Sequence, residues 1–355
     1  MTRPFEVRDD LRDILPYKAP QADAPIRLNT NESPWPPPEG FFKDLSDRVK
    51  HLDLHRYPDR DARTLRAGLA ERHGWDPAGV WAANGSNEIL QTLLLTFGGP
   101  GRKLALFEPT YAMHAHLAKV TATEVVAREV DEPWVLDPQT VAWGVSFDPP
   151  SMTFICSPNN PTGTAHPNAV VEAALESGPG LVVVDEAYGE FARESAIALL
   201  PRYERLVVIR SFSKSWRLAG ARIGYLLAHP WLVEALQVAR LPYHLSQLTQ
   251  ACGEVALRHQ APIFKGVEEI VVERERLSKE LERVPGLDVF PSQANFILFR
   301  TPAEGTRVWR ALADAGVLIR DFSTVVPRAL RVTVGTADQN AEFVETLRSV
   351  LRDAE

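Results

Sequence analysis

Lys214 is the residue in this sequence whose type and setting point most clearly to chemistry. It follows the apolar run RLVVIRSF in the stretch SFSKSWRLAGARIGY of residues 211–225, and serines flank it at Ser211, Ser213 and Ser215. The chain contains eight lysines against 31 arginines, so composition alone does not account for this one. A lysine held in a cleft with a lowered pKa attacks carbonyl groups and forms Schiff bases. For this segment taken alone, a solvated surface lysine is the simpler alternative.

Polar side chains also stand where three other apolar runs end or a helix begins. FICSPNNPTG places Asn160 before a turn, LVVVDEAY ends in Asp185 and Tyr188, and ANGSNEIL puts Gly85 and Ser86 ahead of a helix pattern. Each has an ordinary explanation, since Asn, Pro and Gly form turns and GSxE is typical of a capping box. The start of a helix is also an anion site, and a buried carboxylate needs a cationic partner.

Taken together, these turns suit a single ligand with four chemical groups. An anion would meet the helix start, the hydroxyls at 211 and 213 and Arg222, and a cationic ring nitrogen would meet Asp185. A phenolic oxygen would meet Asn160 and Tyr188. An aldehyde would meet Lys214. Pyridoxal 5′-phosphate carries all four groups.

Short apolar runs that alternate with helical patterns over residues 80–228 would position these turns. Such uniformly apolar strands indicate a mostly parallel sheet with helices on both faces, and ligands bind beyond the carboxyl ends of its strands. We therefore expect an α/β fold. The predicted strands are KLALFEP, TEVVAREV, SMTFICSP, LVVVDEAY, RLVVIRSFS and ARIGYLLA.

The pattern changes after Pro242, where longer helices predominate. We predict helices at 245–260, 262–284, 305–316 and from 337, with strands in GVLIRDF and ALRVTVGT. This mixture predicts a smaller α+β domain. The expected division is a large domain of residues 29–241, and a small domain of residues 242–355 that packs with an N-terminal arm of residues 1–28.

Composition narrows the function classes. The 355 residues include 46 acidic and 39 basic side chains, a formal charge of −7, which argues against a nucleic-acid-binding surface. No secretory signal and no run long enough for a membrane span is visible. Cys156 and Cys252 lie in neither a CxxC nor a metal spacing, which favours reduced thiols in a cytoplasmic protein.

Four ordered motifs make the chain resemble the fold-type-I, pyridoxal-phosphate-dependent aminotransferases. These are LNTNESPWPPP, NPTG, DEAY and SFSKSWRLAGARIGY, and the resemblance covers essentially the whole chain. Within that class the sequence most resembles the histidinol-phosphate aminotransferases, through RYPD, GSNE, PTYAMH, SPNNPTG, GVLIRDF and LRVTVGT. The resemblance implies a seven-stranded sheet in a large domain, transamination between L-histidinol phosphate and 2-oxoglutarate, and a homodimer with a shared site.

The resemblance also implies roles for individual residues. Lys214 would hold the cofactor covalently and move a proton at the substrate Cα, and Asp185 would pair with the ring nitrogen. Asn160 and Tyr188 would bond the phenolic oxygen, and Tyr111 would stack on the ring. The phosphate would be held by Ser86, Asn87, Ser211, Ser213 and Arg222, and by Tyr57 of the neighbouring subunit.

Arg320 and Arg331 are the implied substrate-binding arginines, because a guanidinium offers a bidentate fork to phosphate or carboxylate. The resemblance adds Asn31 and Tyr17 to the substrate site. A salt bridge to Asp321 is the structural alternative for Arg320. Several positions depart from the family pattern, namely Asn87, His114, Trp216 and Arg217. His114 and His116 form an HxH pair that we interpret as helix-face residues.

Three other functions stay open at this point. An aromatic or broad-specificity aminotransferase keeps the chemistry with another amino donor, and an amino-acid-phosphate decarboxylase cleaves a different bond at Cα. A regulatory module on an aminotransferase fold would need an added DNA-binding segment, for which neither end has room or basic character. An NAD-dependent dehydrogenase is disfavoured because no strand is followed by GxGxxG.

Overall fold

A seven-stranded sheet organises the first two thirds of the chain. The computed structural model describes residues 7–12, 14–16, 23–146 and 148–353. The strand order is β2-β8-β7-β6-β5-β3-β4, with the five strands from β7 to β4 parallel and β8 antiparallel to both of its neighbours. The expected α/β fold with a mostly parallel sheet is confirmed. The strands are β2 (Val80–Ala83), β3 (Lys103–Glu108), β4 (Glu124–Glu129), β5 (Met152–Cys156), β6 (Leu181–Asp185), β7 (Leu206–Ser211) and β8 (Gly224–Ala228).

Helices cover both faces of this sheet. Alternate residues of one strand join different core clusters, for example Val182 and Val184 of β6 on one face and Val183 on the other. This double burial explains why the central strands read as continuous apolar runs. The helices of this part are α1 (Phe41–Val49), α2 (Arg63–His73), α3 (Ser86–Phe97), α4 (Met113–Val120), α5 (Pro138–Ser146), α6 (Asn168–Ser177) and α7 (Pro230–Leu236).

A second core lies around a four-stranded antiparallel sheet of order β12-β13-β10-β9. GVLIRDF, expected as one strand, is two strands in different sheets, because its first half pairs in parallel with the N-terminal β1 and its second half with β13. The elements here are β1 (Ile26–Arg27), β9 (Asp288–Val289), β10 (Phe296–Arg300), β11 (Val317–Leu318), β12 (Arg320–Asp321), β13 (Ala329–Thr333), α8 (Gln247–Arg258), α9 (Gln260–Glu282), α10 (Gly305–Asp314) and α11 (Ala337–Arg352).

Helix α9 passes from one core to the other. Val255 of α8 and Ile263 at the start of α9 pack in the core of the large sheet, whereas Val267 and Leu277 of α9 pack in the smaller core. The division between residues 241 and 242 stays a prediction, although α8 and the start of α9 pack with the core of the large sheet. The β1–β11 pairing ties the N-terminal segment to the smaller domain.

Two further observations concern the class of protein. Across the residues that the structure describes, no helix combines the length and the apolar character that a membrane crossing requires. Cys156 and Cys252 are both free, as expected, and Cys156 is buried at the end of β5. Burial raises the pKa of both thiols, which keeps them in the protonated and less reactive form.

Candidate active site

The predicted site residues gather at the carboxyl edge of the large sheet. Strands β5, β6 and β7 are parallel neighbours, so their carboxyl ends meet at one edge. Asp185 is the last residue of β6 and Ser211 the last of β7. Asn160 and Lys214 follow β5 and β7 in the next turns. The sequence argument that polar residues after apolar runs share one edge is therefore confirmed for this group.

Lys214 lies in a partly buried position with its ammonium group close to the N-terminal segment. Its Nζ donates to the Thr30 carbonyl oxygen at 2.7 Å and lies 6.0 Å from the centre of the Tyr188 ring. The pKa of Lys214 is lowered to about 8, mainly by burial and in part by the charges of Arg331 and Arg222. The neutral amine, which is the form that attacks carbonyl groups, is therefore far more populated near physiological pH than in an ordinary lysine.

Asp185 and His114 form a buried pair. The His114 Nε2–H donates to Asp185 Oδ2 at 3.0 Å, and the Ala187 N–H donates to Asp185 Oδ1 at 3.1 Å. Both side chains are almost fully buried, and the His114 ring packs edge-on against Tyr111 and Phe154. His114 lies on α4, as interpreted from the sequence, and the packing of α4 on the sheet turns this side chain inward.

Tyr188 and Asn160 are each bonded to a residue far away in the sequence. The Tyr188 hydroxyl accepts from Asn31 Nδ2 at 2.9 Å, and burial raises the pKa of Tyr188 to about 12. The tyrosine is thus a neutral O–H donor at physiological pH. Asn160 Oδ1 accepts from the Arg331 guanidinium, which leaves the amide NH₂ of Asn160 as its donor side.

Arg331 is held between two aromatic rings inside the protein. Its guanidinium carbon lies 4.9 Å from the ring centres of both Phe296 and Phe322, and its Nη2 donates to the Asn29 carbonyl at 3.0 Å. Arg320 of β12 stands directly opposite Arg331 of β13. Since directly opposite residues of an antiparallel pair share one face, both arginines project from the same side of the small sheet.

Asp321, the structural alternative partner for Arg320, is engaged elsewhere. Its Oδ2 accepts from the Thr306 hydroxyl at 2.7 Å, and its Oδ1 accepts from the Ser323 N–H at 2.8 Å. Each oxygen of the Asp321 carboxylate therefore accepts a hydrogen bond, one from α10 and one from its own turn.

The start of α3 and the turn after β7 form one cradle. Gly85 is the N-cap at φ 86°, and a Cβ there would stand 2.6 Å from Arg222 Nη2. A Cβ on Gly224 would stand 2.5 Å from the Ser86 amide nitrogen. Only glycine allows this approach at either position. Arg222 also donates to Ser213 Oγ at 3.2 Å, so the guanidinium, the serine and the free amides of a 12-residue helix face one place.

Two other tyrosines of the predicted site lie in different places: one contacts the start of α3, and the other is on the exposed surface. The Tyr111 hydroxyl donates to Asn87 Oδ1 at 3.3 Å, which joins it to the start of α3. Tyr57 lies apart from these contacts, with 78% of its surface exposed and its ring stacked on Tyr243. Tyr17 lies outside the described residues.

Sequence reasoning missed the backbone contribution of the N-terminal segment. The carbonyls of Asn29 and Thr30 accept from Arg331 and Lys214, and Asn295 Nδ2 donates to the Asn31 carbonyl at 3.0 Å. Backbone carbonyls carry no sequence signature. The motif LNTNESP, which includes all three residues, was the available signal.

Comparison with known proteins places the chain in a family. A family described as aminotransferase class I and II matches residues 24–347. The chain is 48% identical over 360 residues to the histidinol-phosphate aminotransferase of Frankia casuarinae, covering 97% of this chain and 90% of that protein. It is 47% identical over 348 residues to the enzyme of the same name from Thermobifida fusca, covering 96% of this chain and 94% of that protein.

Solved structures of other proteins share the fold of this chain. The histidinol-phosphate aminotransferase from Sinorhizobium meliloti in complex with pyridoxal-5′-phosphate superposes with a TM-score of 0.89 at 23% identity, covering 99% of both chains. The L-threonine-O-3-phosphate decarboxylase from Porphyromonas gingivalis superposes with a TM-score of 0.79 at 24% identity, covering 92% of this chain and 99% of that one. At these identities the likeness establishes the architecture alone.

Proposed function

The chain belongs to the class I and II aminotransferases, and on that premise we propose that it transfers the amino group of L-histidinol phosphate to 2-oxoglutarate with pyridoxal 5′-phosphate as cofactor. The observation that carries the chemistry is the placement of Lys214, with its lowered pKa, and the buried Asp185 at one sheet edge, where the buried Arg331 of the small sheet bonds to Asn160. The substrate rests on relatives of that name that match nearly the whole chain at 45–48% identity.

The residues present fit the cofactor. Its phosphate suits the cradle in which Gly85 admits Arg222, with Ser86, Asn87, Ser211 and Ser213 around it. Its protonated ring nitrogen suits Asp185, because a facing carboxylate favours the charged form of the nitrogen. Asn160 and Tyr188 keep donors for the phenolic oxygen, and Tyr111 beside the His114 ring is proposed to stack on the pyridine.

When bound, pyridoxal phosphate supplies an electron sink for the carbanion that forms at the substrate Cα. Two side chains of the protein would assist this chemistry, one at the substrate Cα and one at the cofactor ring. Lys214 Nζ, as a free amine, would accept the proton that leaves the substrate Cα and return a proton in the reverse direction. Asp185, oriented by His114, keeps the electron-withdrawing charge on the ring. A lysine with a pKa of about 8 accepts and returns a proton near neutral pH without a large barrier in either direction.

The two arginines of the small sheet are proposed to bind the substrates. Arg331 and Arg320 project from one face, and a guanidinium pairs with phosphate as well as with carboxylate. One pair of cations can therefore serve the phosphate of histidinol phosphate in one half-reaction and the carboxylates of glutamate in the other. Asn31, which already bonds Tyr188, lies beside them, and Tyr17 is proposed for the same role.

We further propose a cytoplasmic homodimer in which Tyr57 reaches the phosphate of the partner subunit. The support is the exposure of a stacked aromatic pair, Tyr57 and Tyr243, together with the neighbouring exposed side chains Leu54 and Leu241. A cluster of exposed aromatic and aliphatic residues on one chain is typical of an interface.

The experiment is an amino-transfer assay with purified protein and added pyridoxal phosphate. Glutamate should form from 2-oxoglutarate and L-histidinol phosphate, with a higher kcat/KM than with L-phenylalanine or L-tyrosine. Lys214→Ala should abolish it, and borohydride reduction followed by peptide mapping should find the pyridoxyl group on Lys214 only. A preference for the aromatic amino acids would refute the substrate, and release of carbon dioxide from L-threonine-O-3-phosphate, without glutamate formation, would identify a decarboxylase.

A further inference from the structure

Arg217 adopts a backbone conformation that arginine avoids. It lies three residues after Lys214 in the turn SKSWR, with φ 60°, in the left-handed region. A side chain with a Cβ is uncommon there, and the conformation persists only when surrounding contacts compensate for its cost. Glycine would occupy this position without strain. The contacts of the Arg217 side chain should therefore explain why an arginine is present.

Those contacts join two segments that are distant in sequence. Arg217 Nη1 donates to the Pro36 carbonyl at 3.2 Å, and its guanidinium carbon lies 5.4 Å from the centre of the Trp35 ring. On the other side lies Gly266 of α9, where the three atoms nearest to an added Cβ would all belong to the Arg217 guanidinium. The guanidinium thus occupies the space that a side chain at 266 would fill.

Gly266 is the second local departure at this place. Glycine within a helix is unfavourable relative to alanine, and α9 runs without interruption from Gln260 to Glu282. An unfavourable arginine conformation and an unfavourable helical glycine therefore meet at one guanidinium. Departures of this kind from local preference are expected where function requires a particular contact.

The segment that Arg217 holds is a wall of the active site. Within residues 29–36, hereafter the N-terminal wall, the carbonyls of Asn29 and Thr30 accept from Arg331 and Lys214, and Asn31 Nδ2 donates to Tyr188. The β1–β11 pairing fixes the chain just before the wall. The cation–π contact of Arg217 with Trp35 and its hydrogen bond to Pro36 fix the far end of the wall.

We propose that Arg217 is a positioning residue that clamps the N-terminal wall against the active site and so orients Arg331, which donates to the Asn29 carbonyl of that wall, for substrate. The clamp and the reactive lysine share one turn, so the wall and Lys214 keep a fixed relative position. This inference deepens the proposed function and rests on it for the role of Arg331.

Two variants remove the clamp by independent routes. Arg217→Gly removes the guanidinium and relieves the strained backbone, and Gly266→Ala displaces the guanidinium while it improves helix propensity. Arg328→Gly is the matched control. Arg328 also has a left-handed φ of 62° and donates from Nη1 to a proline carbonyl, that of Pro302 at 3.1 Å, in the small domain.

Hydrogen–deuterium exchange of the holoenzyme measures the clamp directly. Loss of one hydrogen bond and one cation–π contact should raise exchange in the N-terminal wall about tenfold in Arg217→Gly and Gly266→Ala. Arg328→Gly should leave exchange in this segment unchanged. Wild-type exchange in both clamp variants, or equal acceleration in the control, would overturn the proposal.

Steady-state kinetics separate positioning from general structure. The KM for the amino donor should rise about tenfold in both clamp variants with kcat within about twofold, because Arg331 loses its orientation while Lys214 stays in place. A lowered melting temperature with unchanged KM would refute positioning. If the wild type fails to transaminate histidinol phosphate, the proposed function fails, whereas the exchange comparison still decides the clamp.

Discussion

His114 Nε2 and Asp185 Oδ2 are joined by a hydrogen bond of 3.0 Å in a part of the protein where neither side chain contacts bulk water. Asp185 ends β6, and His114 lies on α4, so the bond links a strand to a helix on the face that carries the proposed cofactor site. A buried carboxylate without donors is costly. His114 therefore stabilises the buried Asp185 carboxylate and fixes the orientation of that carboxylate group.

His114→Phe should weaken cofactor binding without unfolding the protein. Loss of a charge-assisted donor to a buried carboxylate costs about 1.5–3 kcal/mol, which corresponds to a dissociation constant about 10- to 100-fold higher. Titration of pyridoxal phosphate into the apoenzyme measures it. His114→Gln, which keeps a donor, should restore most of the affinity, and His116→Phe on the same helix should bind normally. Wild-type affinity in His114→Phe would exclude the positioning role.

The centre of the main sheet was predictable because its central strands are buried on both faces, which leaves a plain apolar run in the sequence. The edge strand β2 was not, because VWAA has only four residues and two of them are alanine. Helix α2 gave no start signal, since its N-cap is Ala62 at φ 46° without a side-chain cap. The pairing with β8 and the packing of α2 under α8 hold these elements in place.

The site was predictable where residue type carries the chemistry. Lys214, Asp185 and Arg222 are charges placed at strand ends, and the structure gathers them. The hydrogen bond from Lys214 to the Thr30 carbonyl spans 184 residues, and the bond from Arg331 to the Asn29 carbonyl spans 302 residues. Because both acceptors are backbone oxygens, no side-chain pattern in the sequence reveals these contacts. Tertiary packing decides such contacts.

Lys214→Met should stabilise the cofactor-free protein at neutral pH. The pKa of Lys214 falls from 10.5 to about 8 mainly because the folded chain buries it. Below pH 8 the folded state must bury an ammonium group, and between pH 8 and 10.5 the unfolded state binds more protons, so stability rises with pH there. With the lost Thr30 hydrogen bond included, the net gain of the variant at pH 7 should be about 1–2 kcal/mol.

Denaturant unfolding of both apoproteins at pH 7 and pH 10.5 tests this. The advantage of Lys214→Met should largely disappear at the higher pH, where the wild-type lysine is neutral in the folded state and about half deprotonated in the unfolded state. Lys265→Met, on the exposed surface of α9, should show no such pH-dependent difference. A variant that is less stable than the wild type at pH 7 would contradict the inferred cost of Lys214.

Arg331→Lys should impair substrate binding while the cofactor still binds. Lysine keeps the charge but loses the fork that reaches Asn160 and Asn29 and leaves a donor for substrate. We expect kcat/KM to fall about 10- to 100-fold for histidinol phosphate and for glutamate alike. The control is Arg300→Lys on β10, whose guanidinium also lies over an aromatic ring, Phe290, but pairs with Asp288 at the surface. Equal losses in both variants would argue against a substrate role for Arg331.

Arg210→Met should destabilise the protein in a pH-dependent way. Arg210, almost fully buried, lies 2.6 Å from Glu186 and 3.0 Å from Glu190, and burial raises the pKa of Glu186. Without the guanidinium, two buried carboxylates lose their cation, and the free energy of unfolding at pH 7 should fall by about 3–5 kcal/mol.

The deficit should shrink as the pH falls toward 4. Carboxyl groups whose folded-state pKa is raised add stability at low pH and lose it as the pH rises, so protonation relieves the uncompensated charge in Arg210→Met. Arg205→Met is the control, because Arg205 donates to the carbonyls of Leu175, Gly178 and Gly180. Its deficit should not vary with pH in this range, since carbonyls do not titrate. Thermal unfolding of the three proteins from pH 4 to pH 8 measures both trends, and a parallel pH dependence of the two deficits would show that Arg210 acts through packing and not through charge.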